Sequence, residues 1–259
     1  MKTEPLITNA GLGDINLSTL NSKYLALDSV RTDNAHVKEF LRNFQSEFWQ
    51  AHKIKVHHSV KVTKERLVRD RVIVFINKKQ NFTSINDVLK LVRKYNFPEK
   101  YVSRLTSEYK NCSCIMFAIE ADGDVAKYKI YCEIPFQNFG FGFKWTKSNS
   151  VITRYDWSKK VDNYKSLIDA SGFNLYPKFL ETKKITLVYS VKDETTSKRG
   201  FEFALEDTYL KDISRDVSNL THVNIYDKLK DLANLPIIHF SGGVESNGDK
   251  YFNLYFVVI

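Results

Sequence analysis

The sequence predicts an α+β protein: a closed antiparallel β-barrel built from repeated hairpins and surrounded by α-helices. Pairs of segments with alternating apolar residues recur about five times along the chain, separated by helix-like segments. Each hairpin alone would leave an apolar face and open edges. Closing the strands into a barrel with helices outside buries both. An open sheet with helices on one face is the alternative that the same pattern allows.

The predicted hairpins are read from period-two alternation on either side of turn residues. The clearest turn signals are Ala-Asp-Gly-Asp at residues 121–124 and Ser-Asn-Gly-Asp at residues 246–249. The predicted strand pairs are residues 55–63 with 68–77, 113–120 with 126–134, 139–145 with 151–155, 185–192 with 200–205, and 237–244 with 251–258.

The predicted helices show apolar residues at helical spacing, several of them behind a cap signal. Ser84 and Asp87 form a capping-box pattern, and Pro98 stands near the first turn of the next segment. The predicted helices are residues 33–49, 84–95, 98–109, 161–170 and 224–235.

Length and composition favour a single domain over residues 1–259. Of these residues 43% are hydrophobic and 14% aromatic, which is enough to bury a substantial core. No apolar run reaches the roughly 18 residues that cross a bilayer, and the first residues lack the order of a signal peptide. We therefore expect a cytoplasmic protein.

The three cysteines are Cys112, Cys114 and Cys132. The Cys112-x-Cys114 pair could be half of a metal site, but no second Cys/His pair at zinc spacing accompanies it. Buried thiols in a reducing compartment are the favoured interpretation, and no metal site is assigned.

The net charge of +9 indicates an anionic partner, such as nucleic acid, a membrane surface or a phosphorylated ligand. A lysine-rich, solvated surface is the plainer alternative. The placement of the cations on the strands separates these interpretations. One pattern recurs near the ends of the returning strands, at Lys129-Ile130-Tyr131, Arg154-Tyr155 and Asn253-Leu254-Tyr255.

Period-two alternation places Lys129 and Tyr131 on one face of their strand, and Asn253 and Tyr255 on one face of theirs. Arg71 interrupts an apolar strand, where an unpaired charge would be costly, so it requires an anion. Donors of this kind converging in a barrel lumen would suit a diphosphate. For any single residue, exposure to solvent or pairing with a strand glutamate such as Glu120 or Glu133 is the alternative.

Aromatic residues supply the second half of this argument. Ionisation of an allylic diphosphate leaves a carbocation, which aromatic faces stabilise and shield from water. For the phenylalanine series taken alone, ordinary barrel core is the favoured interpretation. The aromatic residues concerned are Phe139, Phe141, Phe143 and Trp145 on one strand and Tyr131, Tyr155, Tyr189 and Tyr255 on others.

The sequence resembles the aromatic prenyltransferases of the antiparallel ββα barrel type, the ABBA or PT barrel, and in particular the cyanobactin branch that modifies ribosomal peptides in RiPP biosynthesis. The similarity covers most of the chain through degenerate motifs. It is greatest at HHSVKVTKERLVRDRVIVFI (57–76), IMFAIEADGDVAKYKIYCEI (115–134) and HFSGGVESNGDKYFNLYF (239–256).

The resemblance implies transfer of a dimethylallyl or geranyl group from its diphosphate to a nucleophilic side chain of a peptide, linear or macrocyclic, or to an aromatic small molecule. His57 stands where such peptide-modifying enzymes often place a glutamate, so His57 or Glu120 would take the proton. A surface histidine pair with His58 is the alternative for His57. The diphosphate ligands would be Arg71, Lys129 and Asn253, with Lys198 or Arg199 as a third cation. The prenyl pocket would be formed by Tyr131, Tyr155, Tyr189, Tyr255, Phe141, Phe143, Val188 and His239.

Three further expectations follow from the resemblance. Val188, near a position that is a large aromatic in some relatives, indicates a donor longer than five carbons. Magnesium would arrive with the diphosphate, since no DDxxD cluster is present. The protein would be a monomer that binds neither membrane nor nucleic acid. Rival interpretations are a nucleic-acid-binding barrel, for which an outward basic stripe would speak, and a silent, peptide-binding family member.

Overall fold

A computed structural model describes residues 30, 32–48, 54–78, 83–134, 138–160, 162, 164–196, 198–221, 223–245 and 247–258. Ten antiparallel strands form one closed barrel, in which each strand pairs with its neighbours in sequence and β1 pairs with β10. The strands are β1 (Lys55–Thr63), β2 (Leu67–Asn77), β3 (Cys114–Asp122), β4 (Val125–Ile134), β5 (Phe139–Trp145), β6 (Ser150–Ser158), β7 (Ile185–Asp193), β8 (Arg199–Leu205), β9 (Ile237–Val244) and β10 (Lys250–Val258).

The helices pack on the outside of this barrel. Asn34 caps the first helix by accepting from the backbone N–H groups of His36 and Val37, and Ser84 and Asp87 form a complete capping box at the second. In the described residues the helices are α1 (Ala35–Glu47), α2 (Ile85–Arg93), α3 (Val102–Asn111), α4 (Tyr164–Ala170), α5 (Leu210–Thr221) and α6 (Ile225–Lys228).

The apolar core lies between the barrel and the helices. One cluster packs α1, α2 and α3 against the outer faces of β1 to β6, where the Phe44 and Phe117 rings lie 5.7 Å apart. A second cluster packs α4, α5 and α6 mainly against β7 to β10, where Phe179 meets Phe240 at 5.0 Å. Since the apolar face of each strand turns toward the helices, the opposite face is left to line the lumen.

All five predicted hairpins are confirmed, and β1–β10 pairing closes the sheet, so the open-sheet alternative is wrong. The barrel has two distinct ends. The five hairpin turns lie at one end, which we call the hairpin end, and the connections to the helices lie at the other, the helix end. The third hairpin is longer than expected, because β6 continues to Ser158.

Four of the predicted helices are confirmed within the described residues, which leave out positions 49, 161 and 163 of their predicted spans. The helix predicted at 224–235 is wrong. Leu229 leaves helical geometry with φ −121° and ψ 23°, so this segment forms only the short α6 and a 3-10 turn at Lys230–Leu232. The longer helix, α5, lies just before it.

In the described residues no helix is long and apolar enough to cross a membrane. The three cysteines are free thiols. Cys112 and Cys132 are buried in the core between barrel and helices, whereas Cys114 is partly exposed.

Candidate functional site in the barrel lumen

Strand register decides which side chains share the lumen. Arg71 lies opposite Ser59 on β1 and opposite Glu120 on β3, and side chains that face each other across a ladder point to the same side of the sheet. Glu120 in turn lies opposite Lys127 on β4, and Lys129 is two residues further along the same face. This face points away from the helices, so these residues line the lumen.

A buried polar network joins Arg71 and Lys129. The Arg71 Nη1 donates to Asn253 Oδ1 at 2.5 Å, and its Nε lies 3.2 Å from Glu120 Oε2. Lys129 Nζ donates to the same Glu120 oxygen at 2.6 Å. The Asn253 amide donates onward to Ser241 Oγ at 2.7 Å. Arg71, Lys129 and Asn253 are 5%, 8% and 6% exposed, so the structure brings three of the predicted diphosphate ligands together in one buried cluster.

Glu120 is the counter-ion of this cluster. Burial by itself raises the pKa of the Glu120 carboxyl, but Lys129 and Arg71 outweigh burial and hold that pKa well below its usual range. The ionised carboxylate accepts from one cation and pairs with the other. Arg71 Nε is held to this carboxylate by charge and not by a well-aligned hydrogen bond.

More cations surround the cluster toward the hairpin end. Lys61 and Lys198 both donate to the Glu245 carboxylate, and both ammonium groups lie over the ring of Tyr251, at 4.9 and 4.6 Å from its centroid. Burial raises the pKa of Glu245, but the two lysines outweigh it and lower that pKa to about 2. The hairpin end therefore holds cations that are tethered by carboxylates and aromatic faces.

A further lumen cation is Lys144 on β5, whose Nζ lies 3.6 Å from Asp193 Oδ1. The Asp193 carboxylate also accepts from the Thr153 hydroxyl at 2.5 Å. Burial lowers the pKa of Lys144 to about 8 even though Asp193 opposes this shift. Lys144 lies opposite Lys129 across the β4–β5 ladder, so the two ammonium groups belong to the same lumen face.

Tyrosine side chains form the middle layer of the lumen. The rings of Tyr131 and Tyr155 meet edge to face, 5.5 Å apart. Gly142 leaves space for this contact, since a Cβ atom on it would lie 2.5 Å from Tyr131 Cδ1. The Tyr255 hydroxyl lies 3.3 Å from Ser241 Oγ and so borders the network of Arg71. The tyrosines predicted to shield a carbocation thus stand next to the cation cluster.

The helix end of the lumen has a different character. Glu202 Oε1 lies 2.8 Å from His239 Nδ1, and the His239 ring contacts Tyr189 and Tyr255 at centroid distances of 5.9 and 6.0 Å. Burial raises the pKa of Glu133 to about 7, with His239 opposing and Glu202 reinforcing the shift. Two carboxylates and a histidine therefore face one another among aromatic rings.

His57 joins this group from β1. Its imidazole is 6% exposed and packs on Phe75 at a centroid distance of 4.2 Å. Burial, followed by the neighbouring His239, lowers the pKa of His57 well below its usual value, so the ring is neutral at pH 7. His58 points to the other face, where its Nε2 lies 2.7 Å from the Arg69 carbonyl oxygen. The two histidines do not form a surface pair, because both are buried.

Three residues predicted for the prenyl pocket lie outside the lumen. Phe141 and Phe143 face Cys132 and Ile130 across the β4–β5 ladder and pack in the helix-side core. Val188 is buried in the second helix-side cluster. Their placement in the pocket is corrected, because on these strands the apolar face is the outer one. Val188 therefore gives no support to the prediction of a donor longer than five carbons.

Lys198 and Arg199, two neighbouring residues predicted to bind the diphosphate, lie on different sides of the barrel wall. Arg199 is exposed and lies opposite Lys192 on the outer face of the β7–β8 hairpin, so it does not line the lumen. Lys198 reaches the rim of the hairpin end through Glu245 and Tyr251. Of the two alternatives for a third cation, the structure places Lys198 nearer to the cluster of Arg71.

Several lumen residues had not been singled out for the site from the sequence. Each lies two residues from a recognised lumen position or opposite one in the ladders, and that parity is the signal that would have found them. They are Lys61, Lys144, Trp157, Asp193, Glu202, Ser241 and Tyr251.

Comparisons with known proteins find the fold and no sequence relative. No protein-family model and no curated protein matches the sequence. Among solved structures, AnaPT from Neosartorya fischeri matches with a TM-score of 0.50 and 9% identity over 91% of each chain. NotF prenyltransferase matches with a TM-score of 0.54 and 9% identity over 85% of this chain and 87% of that one.

A second NotF structure, in complex with brevianamide F and DMSPP, matches with a TM-score of 0.52 and 9% identity over 87% of this chain and 89% of NotF. The closed ten-stranded barrel with outer helices is therefore the ABBA fold found in prenyltransferases. At 9% identity this likeness concerns the fold.

Proposed function

We propose that the protein is a prenyltransferase, which moves a dimethylallyl or geranyl group from its diphosphate to a nucleophilic side chain of a peptide or to an aromatic small molecule. The observation that carries this proposal is the buried Arg71–Lys129 cluster, which faces the lumen directly beside a layer of tyrosines. The NotF structure with brevianamide F and DMSPP supports it, as a barrel of the same fold that holds two small molecules.

The diphosphate would bind at the hairpin end. Arg71 offers a planar fork to two phosphate oxygens, Lys129 a point charge and Asn253 an amide. Glu120 holds both cations in position and offsets part of their charge, and Lys61 adds a further ammonium group nearby. Because these donors point inward, the arrangement favours a small anion over a nucleic acid strand, which would need an outward basic stripe.

In the proposed reaction the C–O bond of the allylic diphosphate breaks, and the electron pair leaves with the diphosphate. Tyr131, Tyr155, Tyr189 and Tyr255 would face the allylic cation and exclude water. A nucleophilic atom of the acceptor then bonds to the allylic carbon and loses a proton. Glu120 is a poor proton acceptor, since its two cations lower its pKa. Glu133, with a pKa of about 7, suits this role better at neutral pH.

Magnesium would accompany the diphosphate. In the described ranges no group of three or more His, Cys, Asp or Glu side chains is placed to hold a metal ion. The diphosphate oxygens would contact both the metal ion and the lumen cations. A peptide acceptor of the cyanobactin type, a single domain, a monomeric state and a cytoplasmic location stay predictions from the sequence.

Calorimetric titration with inorganic pyrophosphate tests the donor site. We expect Arg71→Ala and Lys129→Ala each to weaken pyrophosphate binding by about a hundredfold, since each removes a desolvated charge. Arg71→Lys keeps the charge but loses the fork, and it should lie between the wild type and Arg71→Ala. Arg199→Ala is the matched control, because it removes an exposed arginine on the outer face.

Prenyl transfer is tested separately by mass spectrometry. The full chain is incubated with dimethylallyl or geranyl diphosphate, magnesium and a panel of acceptor peptides and indoles. A mass increase equal to the prenyl group supports the proposal. Unchanged pyrophosphate affinity in the three lumen variants, or no adduct on any acceptor from a protein that binds pyrophosphate, would contradict it.

A further inference from the structure

The helix end of the lumen presents hydrogen-bond acceptors that are not matched by cations. Among the described residues, the Glu133 side chain makes no ion pair or hydrogen bond, and the Glu202 carboxylate pairs only with His239. Lys55, at the start of β1, is exposed and forms no ion pair in the same part of the chain. Two carboxylates thus face the lumen without a lysine or arginine to neutralise them, unlike Glu120 at the other end.

The His57 imidazole adds an independent observation. It is 6% exposed, its register places it on the lumen face, and no hydrogen-bond partner for it occurs in the described residues. Because the ring is neutral, one of its nitrogens is a free acceptor. A buried polar side chain of this kind is costly unless a ligand or water satisfies it. His57 lies opposite Val257 of β10 and His239 lies opposite Tyr255, two residues away on the same face of that strand, so the two imidazoles share one part of the lumen.

Aromatic rings wall the same space. The Trp157 and Tyr189 centroids lie 6.2 Å apart, Tyr189 contacts His239, and His239 meets Tyr255 edge to face. Glu202 lies opposite Tyr189 across the β7–β8 ladder. Burial, and then Glu133 and Glu202, raise the pKa of Tyr189. Carboxylates next to aromatic faces bind organic cations, since the anions supply charge and the rings supply cation–π attraction.

We infer that the helix end is the acceptor subsite and that it selects a cationic nitrogen group, a guanidinium or an ammonium, on the acceptor molecule. This inference rests on the proposed function and names its acceptor class. A guanidinium carries five N–H donors and no acceptor, and an ammonium carries three donors, which matches a site made of carboxylates and a neutral imidazole. A phenol or an indole would leave most of these acceptors unsatisfied.

The chemistry balances with groups already in the lumen. The cationic nitrogen gives one N–H proton to the Glu133 carboxylate in the same step in which it bonds to the allylic carbon, since a guanidinium is too weak an acid to lose that proton beforehand. The allylic C–O bond breaks with its electron pair on the diphosphate, and the nitrogen lone pair forms the new C–N bond. The product nitrogen is again cationic, the diphosphate remains at the hairpin end, and Glu133 holds the proton until water removes it.

Equilibrium binding tests the subsite without requiring turnover. The full chain is titrated at pH 8 with blocked arginine, blocked lysine and blocked citrulline, the last being a neutral isostere of arginine. We expect citrulline to bind at least about tenfold more weakly than arginine or lysine. Glu133→Gln and Glu202→Gln should each weaken arginine binding by about tenfold, as expected for loss of one charge-assisted contact. Comparison of the arginine and lysine titrations distinguishes the two cations.

Glu65→Gln is the matched control, since Glu65 is exposed in the β1–β2 turn, and it should leave arginine binding unchanged. Pyrophosphate titration of every variant shows that the barrel and the donor site are intact. Equal affinity for citrulline and arginine, or arginine binding that survives in both glutamine variants, would overturn the inference. Failure of the donor proposal is read out separately, because it would abolish pyrophosphate binding in the wild type while leaving the arginine titration intact.

Discussion

The two ends of the lumen are built from the same alternation of strand residues, yet they handle charge in opposite ways. At the hairpin end, Arg71, Lys129 and Glu120 have side chains only 7%, 9% and 12% exposed, and they satisfy one another through direct contacts. At the helix end, the Glu133 carboxyl and the His57 imidazole have no hydrogen-bond partner among the described residues. One end is internally neutralised and the other is not.

This difference separates structural from ligand-directed polarity. A closed network such as Arg71–Glu120–Lys129 holds its members in fixed positions, so it offers a ligand pre-organised donors. It also opposes an incoming anion, because Glu120 already occupies the cations. The open cluster at the helix end has no such counter-ion and depends on a ligand for its charge balance. The variants below test the two halves of this contrast.

The largest effect is expected from breaking the closed network. Arg71→Met leaves Asn253 Oδ1 without its buried donor and removes one of the two buried cations that pair with Glu120, so the free energy of unfolding should fall by about 3–5 kcal/mol. Lys127→Met removes a lysine that is 42% exposed and 3.8 Å from the same Glu120 carboxylate, and it should cost less than about 1 kcal/mol. Urea unfolding followed by circular dichroism measures both. Equal losses in the two variants would show that the network is not the stabilising unit.

The second prediction removes the internal counter-ion. Glu120→Gln frees Arg71 and Lys129 for an external anion, so calorimetry should show pyrophosphate binding strengthened by about tenfold, a gain that corresponds to removing one repulsive charge. The same change should lower stability, since two cations lose their partner. Glu206→Gln, at an ion pair with Lys184 outside the lumen, is the control. Weaker pyrophosphate binding in Glu120→Gln would mean that Glu120 positions the cations more than it competes for them.

The third prediction concerns pH at the open end. Glu133 has a pKa of about 7, raised by burial, and it binds a cation only when ionised. Affinity for blocked arginine should therefore rise by about tenfold between pH 6 and pH 8 as Glu133 loses its proton. His239, Glu202 and Tyr189 face the same space, so the glutamine variant decides the assignment.

In Glu133→Gln the affinity for arginine should be low at both pH values. If the pH dependence persists in this variant, another group controls binding, and the charge of Glu133 is not the determinant. Burial lowers the pKa of His57, which favours its neutral imidazole over the pH range of this titration.

The sequence was sufficient for the barrel and for the buried cluster of Arg71, Lys129 and Asn253. Alternation around turn residues predicted five hairpins, and an arginine within an apolar strand required an anion, which the structure supplies as Glu120. Lys129 and Asn253 were found because each stands two residues before a tyrosine on a returning strand. These patterns lie within short segments of the sequence, so they can be recognised without knowledge of the strand register.

The sequence was insufficient where register or absolute orientation mattered. Alternation fixes which residues share a face, but it does not say which face is inside. On β5 the lumen positions are Gly140 and Gly142, whereas Phe141 and Phe143 face the helices. The counter-ions Glu245 and Glu202 come from distant parts of the chain, and only the ladder register brings them to Lys61 and His239.

The smallest effect is expected from a residue that the sequence had placed in the lumen. Phe143 is fully buried between Phe97 and Tyr101 on the helix side, with ring centroids 5.8 Å from each. Phe143→Leu keeps an apolar side chain but removes three carbon atoms from a packed site. It should cost about 1–2 kcal/mol in urea unfolding and leave pyrophosphate and arginine binding at wild-type values. Tyr131→Leu, on the lumen face of the adjacent strand, is its counterpart and should reduce prenyl transfer measured by mass. Loss of ligand binding in Phe143→Leu alone would reverse the assignment of inner and outer faces on β5.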